Sequence, residues 1–389
     1  MRILYAAIDQ TVPGTVGGSV HVTAVAEGLA ELGHEVQVLV APGDGLFPAI
    51  RGVRWTAMSP PLGASGLRWM RRRAVTRIAR ALEPQVVIER YYNFGGEGIA
   101  AGRAVGAVTV LEVNAPVIDF PGSKKALLDK ALLVEPMRRW REAICNAADL
   151  IVTPSVAMLP PETDPAKIVR LEWGADTVRF HPGATGSVPF PRSGGTVAVF
   201  AGAFRSWHGA IHFARAIREV RQHGQHDVTA VFVGDGPELA HVKTEAAGLD
   251  DVHFTGAIEH DRMPALLAAA DIGVAPFDVA AHRPLSLGFF WSPLKIFEYM
   301  ASGLPVVAPA VDRIPALVSH EREGILYDPE SAGALAGALE RLTDRTLRQR
   351  LSAAARERAV RDYSWAAHCK ALEQAIRKEE RLRPGEVSP

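Results

Sequence analysis

The 389-residue sequence has no run of eighteen consecutive apolar residues, so it holds no segment long enough to span a bilayer as a helix. It has two cysteines, Cys145 and Cys369, too far apart in sequence to match any metal or redox spacing, and a reducing compartment is the simpler reading. It has no excess of either charge, 43 Lys+Arg against 43 Asp+Glu, so no global field recruits nucleic acid or an anionic membrane. No G-x-G-x-x-G follows the first apolar run, which tells against a dinucleotide-dependent dehydrogenase. No Asp-x-Asp occurs, and there is neither a low-complexity tract nor a short-period repeat.

What is there is globular: 48% hydrophobic and 22% charged residues, in a length that suits two domains of somewhat under 200 residues each. The opening run reads as a strand over 2–7, because Asp9 interrupts it too early for a signal peptide, and a cytoplasmic protein is expected. A helix over 20–32 follows, ended by Gly33, then a strand over 35–40. Near-continuous runs such as Val86-Val87-Ile88 and Val108 to Leu111 suit strands covered on both faces. After a Gly/Pro/Ser-rich stretch at 183–195 a second alternation begins, with strands at 197–201, 229–233, 252–255, 272–275 and 306–308. This is α/β architecture: two doubly wound, Rossmann-like parallel sheets, over 1–185 and 186–362, with a final helix in 363–389. In such sheets ligands sit beyond the carboxyl ends of the strands, so a cleft between the domains is the expected site.

The most informative stretch is Ser292 to Pro309. Ser292 reads as a helix N-cap, Pro293 as the first helical residue, and Gly303 as the residue past the end. A helix start placed after a strand and loop favours an anion such as a diphosphate. Lys295 in the first turn adds positive charge, and Glu298 comes a turn later, within reach of a ribose diol. An ordinary capped surface helix is the bland alternative. In the first domain, Pro13 to Ser19 (PGTVGGS) forms a glycine loop before a helix that opens with His21. Glu89-Arg90-Tyr91-Tyr92 and Glu112-Val113-Asn114 each close a strand. Glu112 is a candidate base or nucleophile, or else the ion-pair partner of Arg90.

From Val197 to Pro329 the chain resembles the C-terminal half of glycosyltransferase family 4, retaining enzymes of the GT-B fold. Phe200 to Gly209 (FAGAFRSWHG) is similar to that family's diphosphate loop: Gly202 and Arg205 match, and His208 stands where Lys is usual. Val233 to Glu238 (VGDGPE, with Gly234) and Phe254 to Ile258 (FTGAI) resemble the strand ends and base-reading loop. The resemblance implies donor-side roles for Gly256, Ala257 and Ile258. The segment ending in Glu298 resembles the E-x7-E motif whose second Glu holds the ribose. Its first Glu, which contacts the transferred sugar, is Phe290 here. Ser292, Pro293, Lys295, Glu298 and Tyr299 fit the family's Ser-Pro-x-Lys-x-x-Glu-Tyr variant, and Leu294 falls within it on the donor side. Gly17 and Gly18 match the Gly-Gly loop of the first domain and join the donor-binding set. His21, Arg90, Tyr91 and Asn114 form the acceptor side, Asn114 occupying the position of a family His. Trp173 to Pro182 resembles the segment closing the first domain, and the last helix, to about Arg381, is expected by resemblance to cross back onto that domain.

The chemistry this implies is transfer of a sugar from a nucleoside-diphosphate (UDP or GDP) sugar to a sugar, polyol or glycolipid hydroxyl. Retention, no metal and no cofactor beyond the donor go with it. Loss of a nucleoside diphosphate builds charge on the β-phosphate, which a guanidinium, an ammonium and a helix N-terminus stabilise. Arg205 and Lys295 are the expected catalytic groups, with Glu112 the third candidate. His208 either assists when protonated or makes a structural hydrogen bond. A GT-B epimerase or hydrolase, and a non-catalytic sugar-nucleotide binder, remain open beside this reading. Finally, Leu67 to Arg73 and on through Arg80 reads as a basic amphipathic helix. It either lies on anionic lipid at the inner membrane face or is a solvated helix whose arginines snorkel.

Overall fold

A computed structural model describes residues 1–14, 17–120, 122–191, 194–225 and 227–382. Thr15 and Val16 of the glycine loop, residues 192–193 of the Gly/Pro/Ser stretch and 383–389 lie outside the described residues. The chain forms two compact units. The first comprises Met1–Trp173, Phe290–Ser292 and the residues from Trp365 onward; the second comprises Gly174–Phe289 and Pro293–Ser364.

In chain order the first unit contains β1 (Arg2–Val12), α1 (Gly17–Glu31), β2 (Glu35–Pro42), β3 (Val53–Ala57), α2 (Arg72–Leu82), β4 (Val86–Arg90) and α3 (Glu97–Ala104). It continues with β5 (Val108–Glu112), α4 (Lys124–Leu132), α5 (Pro136–Ala147), β6 (Leu150–Thr153) and β7 (Ile168–Arg170). Its seven strands are all parallel, in the order β3-β2-β1-β4-β5-β6-β7. Helices on both faces explain the uninterrupted apolar runs: Ile3 to Ile8, Val86 to Ile88 and Val108 to Leu111 are all buried. Each fully buried Val, Leu, Ile or Phe contributes about 1.5–3 kcal/mol.

The second unit contains β8 (Thr196–Ala201), α6 (Ala210–Gln222), β9 (Val228–Val233), α7 (Leu239–Glu245), β10 (Val252–Gly256), α8 (Met263–Ala268) and β11 (Ile272–Val274). Then come α9 (Leu294–Ala301), β12 (Val306–Pro309), α10 (Ile314–Leu317), β13 (Gly324–Tyr327), α11 (Ala334–Arg341) and α12 (Arg345–Asp362). Its six parallel strands run β10-β9-β8-β11-β12-β13. The strand order reverses between β1 and β4 in the first unit and between β8 and β11 in the second, which marks where each doubly wound sheet opens to a ligand.

The last helix, α13 (Trp365–Leu382), packs in the first unit against α1. A Cβ on Gly28 of α1 would stand 2.6 Å from Cys369 Sγ, so the glycine is what lets the two helices approach. Both cysteines are buried, and burial pushes each thiol up to about 12, which leaves them protonated and inert. Among the described residues no helix is long and apolar enough to cross a membrane.

Two local readings change. Gly17 and Gly18 belong to the first turn of α1 rather than to a loop. A Cβ on Gly18 would fall 1.9 Å from Gln10 Oε1, so any larger residue there would have to displace the end of the Gln10 side chain. The stretch before α2 is not one α-helix: a 3₁₀ segment, Ser65–Arg71, precedes it and shifts the phase of the side chains. Arg68 therefore turns inward with no exposed surface, 2.7 Å from Asp9, 2.6 Å from Glu97 and 3.6 Å from Glu89, and it leaves the basic patch expected over 67–80.

Candidate functional site

In the second unit the site is built around the carboxyl end of β8. Phe200, Phe204, Phe213 and Phe232 are fully buried and interlock, with ring centres 5.4 Å apart for Phe200–Phe204 and 4.8 Å for Phe213–Phe232. Phe204 thereby anchors the loop that carries Arg205 and His208. Gly202, at φ +147°, starts the loop, and a Cβ there would meet Lys295 Nζ at 2.9 Å. Gly234, at φ +125° after β9, is held as tightly, since its Cβ would overlap the Gly202 carbonyl oxygen at 2.0 Å. Only glycine combines these conformations with these approaches.

Lys295 reaches this point from the first turn of α9. That helix is fixed by Tyr299, whose hydroxyl accepts from the Ala201 backbone N–H at 2.7 Å and whose ring lies 2.4 Å from where a Cβ on Gly273 would be. The Lys295 Nζ is buried and has no hydrogen-bond partner among the described residues. It faces the Phe200 ring at 4.3 Å and the Phe277 ring at 5.2 Å. Burial pushes its pKa down to about 7, with Glu298 pulling weakly the other way. Beside it, His208 Nδ1 donates to the Ala203 carbonyl at 2.5 Å. Burial and the neighbouring Lys295 and Arg205 charges lower the His208 pKa to about 3, so of the two roles left open by the sequence the imidazole makes the structural hydrogen bond. Arg205 is exposed, its guanidinium 5.4 Å from the centre of the Trp207 ring, which stacks on His282 at 4.0 Å.

Glu298 follows Lys295 on α9, its Oε1 3.2 Å from His260 Nε2. The hydrogen bond to Glu298 raises the His260 pKa against its burial. Sequence reasoning missed His260, for which a lone histidine two residues past FTGAI was the available signal. Gly256 closes β10, with Ala257 exposed and Ile258 half-buried after it. The capping of α9 differs from expectation. Pro293, at ψ 85°, is the N-cap and Leu294 the first helical residue. Ser292 lies one residue outside the helix, in the first unit, where its Oγ donates to Glu172 at 2.7 Å and accepts from the Trp173 N–H at 3.0 Å. The serine is engaged elsewhere, so the first N–H groups of α9 have no side-chain cap from it.

The first unit brings the residues expected on the acceptor side together at the ends of β4 and β5. Glu112, 4% exposed, takes a hydrogen bond from Tyr5 on Oε2 and one from Asn114 Nδ2 at 2.7 Å on Oε1. Arg90 Nη1 lies 3.5 Å from the same Oε1, so the ion pair the sequence left open is formed. His21, fully buried on α1, accepts from Arg90 Nη1 on Nδ1 at 3.3 Å. Its Nε2 comes to 2.8 Å from Glu112 Oε1, without lining up for a straight hydrogen bond. Burial alone would raise the Glu112 pKa; His21, Arg90 and Tyr5 outweigh it and hold the carboxyl well below the usual range. Burial lowers the His21 pKa, with Glu112 opposing. Trp173 packs on His21 at 4.5 Å and donates from Nε1 to Asn114 Oδ1 at 2.6 Å. Trp365 and His368 of α13 close over the His21 ring at 5.2 and 5.7 Å. The arrangement suits a fixed negative charge rather than a proton acceptor, and His21 faces protein rather than solvent. Tyr91 is buried, its hydroxyl 3.5 Å from Asn93 Oδ1, while the neighbouring Tyr92 is exposed. Phe290 is buried and packs on Trp291 at 5.0 Å.

Known proteins carry the same two halves. Residues 16–159 match the family model "Glycosyltransferase Family 4" and residues 195–345 match "Glycosyl transferases group 1". A GDP-mannose-dependent alpha-mannosyltransferase of Corynebacterium glutamicum is 26% identical over 96% of this chain and 88% of its own. Among solved structures, a sucrose-phosphate synthase from Thermosynechococcus elongatus superposes with a TM-score of 0.70 at 20% identity, covering 97% of this chain and 98% of that one. Anabaena HepE, solved with UDP and glucose, does so with a TM-score of 0.68 at 18% identity, over 96% and 99%. Two doubly wound parallel units, each half with its own family match, make this a GT-B protein, and the chain belongs to glycosyltransferase family 4.

Proposed function

We propose that this glycosyltransferase takes a sugar from a nucleoside-diphosphate donor and passes it to an acceptor hydroxyl with retention of anomeric configuration and without a metal. The observation that carries the reading is the Lys295 ammonium, buried, unpartnered and set between Gly202 and the start of α9. An ammonium desolvated without a hydrogen-bond partner costs free energy in the empty protein, and an anion brought to it recovers that cost. Diphosphate oxygens between Lys295, the exposed Arg205 and the first N–H groups of α9 would meet three donors of the right sign. Glu298 then receives the ribose hydroxyls, and the loop of Gly256, Ala257 and Ile258 the base.

In the step itself the bond between the anomeric carbon and the β-phosphate oxygen breaks. The acceptor oxygen forms its bond on the same face, and the acceptor proton passes to the departing phosphate. Lys295 and Arg205 hold the charge that builds there. No protein base is used: Glu112 is ionised and saturated, and the Asn114 amide cannot take a proton. The nucleotide is a UDP or GDP type, and the acceptor is a sugar, polyol or glycolipid. A glycolipid acceptor would bring the enzyme to the inner membrane face. Incubation with nucleotide sugars and an acceptor panel, followed by NMR of the first-formed product, tests the reading. The donor's anomeric configuration is expected in the product. An inverted centre ends the retaining mechanism, and tight donor binding with no transfer to any acceptor would make the chain a binding protein.

A further inference from the structure

We propose that the first unit docks on an anionic phospholipid bilayer through the surface formed by the 61–63 turn, the 3₁₀ segment and α2. Between Gly45 and Leu82 the sequence has eight arginines and no acidic residue, a local asymmetry that the neutral total conceals. The structure sorts these arginines. Arg68 is spent inside on three acidic side chains, and Arg71 donates to the Ser59 carbonyl at 2.8 Å. Arg72, Arg73, Arg77 and Arg80 are exposed and line one groove with Ala100 and Ala104 of α3. At 3.6 residues per turn they fall within about 140° of helix arc, and the buried Val75 and Ala79 lie outside it. Of the acidic groups of the neighbouring elements, Glu97 of α3 faces Arg68, and Glu83 at the end of α2 pairs with Arg2 at 3.8 Å.

Next to these charges stand large, exposed apolar side chains. Leu62 is 97% exposed at the tip of its turn, Met70 54% and Trp69 45%. A merely solvated helix spreads its arginine stems over such groups. Here they protrude from the turn and 3₁₀ segment that lead into the basic face. Apolar tips to enter the acyl boundary beside arginines to meet lipid phosphates are the two components of interfacial binding. Nucleic acid would use the charges and leave Leu62 and Met70 without a role. The proposal goes beyond the transfer reaction and is read without donor or acceptor, so either can fail alone.

The test is sedimentation of the full chain with vesicles of phosphatidylcholine, alone or with about 30% phosphatidylglycerol. Binding to the anionic vesicles only, reversed by raised salt, is expected. Replacing all four of Arg72, Arg73, Arg77 and Arg80 by Gln should weaken it at least about 100-fold, taking roughly fivefold per basic residue near the surface. A second variant, Leu62→Ser with Trp69→Ser and Met70→Ser, should weaken it with the charge unchanged. All seven side chains are exposed, so unchanged thermal unfolding is the control for folding. No binding to anionic vesicles, or equal binding by both variants and the parent, overturns the proposal. So does an oligonucleotide duplex bound equally by the parent and the serine variant while vesicles stay free.

Discussion

The Lys295 ammonium lies 4.3 Å from the centre of the Phe200 ring, with no hydrogen bond from the described residues and a pKa pushed down to about 7 by burial. In the unfolded chain the same group titrates at its ordinary 10.5. Between those values the unfolded state holds the extra proton, so this lysine makes the empty protein more stable as pH rises from about 7 towards 10.5. Lys295→Met lacks that contribution. Urea unfolding of both proteins at several pH values should show the parent gaining stability relative to the variant across this window. A difference that stays flat with pH contradicts the burial.

Arg68 should behave as an interior ion although the sequence places it in a surface patch. Arg68→Gln strands Asp9, Glu89 and Glu97, and losing one partner from such a buried network typically costs about 3–5 kcal/mol. The cost is tempered because Glu89 holds its proton readily, burial and Glu97 having raised its pKa to about 8. Arg77→Gln, on the exposed face of α2, should leave the unfolding midpoint within error. Equal midpoints for the two variants would mean that Arg68 is not buried.

Glu112→Gln should separate stability from catalysis. It removes the charge that Arg90 and His21 surround, and a loss of about 3 kcal/mol is expected. The folded variant should keep transfer activity within about tenfold, under about 1.4 kcal/mol in barrier. A base would be worth about 10²–10⁴-fold, so a crippled but folded Glu112→Gln contradicts the base-free mechanism. Acid gives a second reading. The folded Glu112 pKa lies below the ordinary 4.5, so its stabilisation is present above that value and is lost as pH falls below it.

Much of this was legible in the sequence, for identifiable reasons. Strands such as β8 and β9 were placed within a residue because their runs, buried on both faces, hold nothing more polar than a threonine. Lys295 and Gly202 stood out because a lysine in a first helical turn and a glycine at a strand end each break a local rule. What stayed hidden depends on distant partners. Ser292 reads as a cap until Glu172, 120 residues earlier, captures its hydroxyl. Arg68 reads as surface until the 3₁₀ segment changes its phase. His260 carries no pattern at all until the fold sets it 3.2 Å from Glu298.

Turnover should proceed in buffer treated with a strong chelator, because Lys295 and Arg205 supply the charge a bridging cation would bring to the diphosphate. Initial rates with chelator, with Mg²⁺ and with Mn²⁺ should agree within about twofold. Activity abolished by chelator and restored by either ion contradicts this.

The central claim is that an anion completes Lys295, and calorimetric titration of UDP and GDP into the parent and Lys295→Met tests it most directly. At pH 6.5 the account predicts affinity weakened about 10- to 150-fold in the variant, the value of a charge-assisted hydrogen bond of about 1.5–3 kcal/mol. The parent's affinity should also fall as pH rises above about 7, where the lysine must take up a proton to bind, while the variant's shows no such fall. Equal affinities for parent and variant, with the same pH profile, would contradict the account.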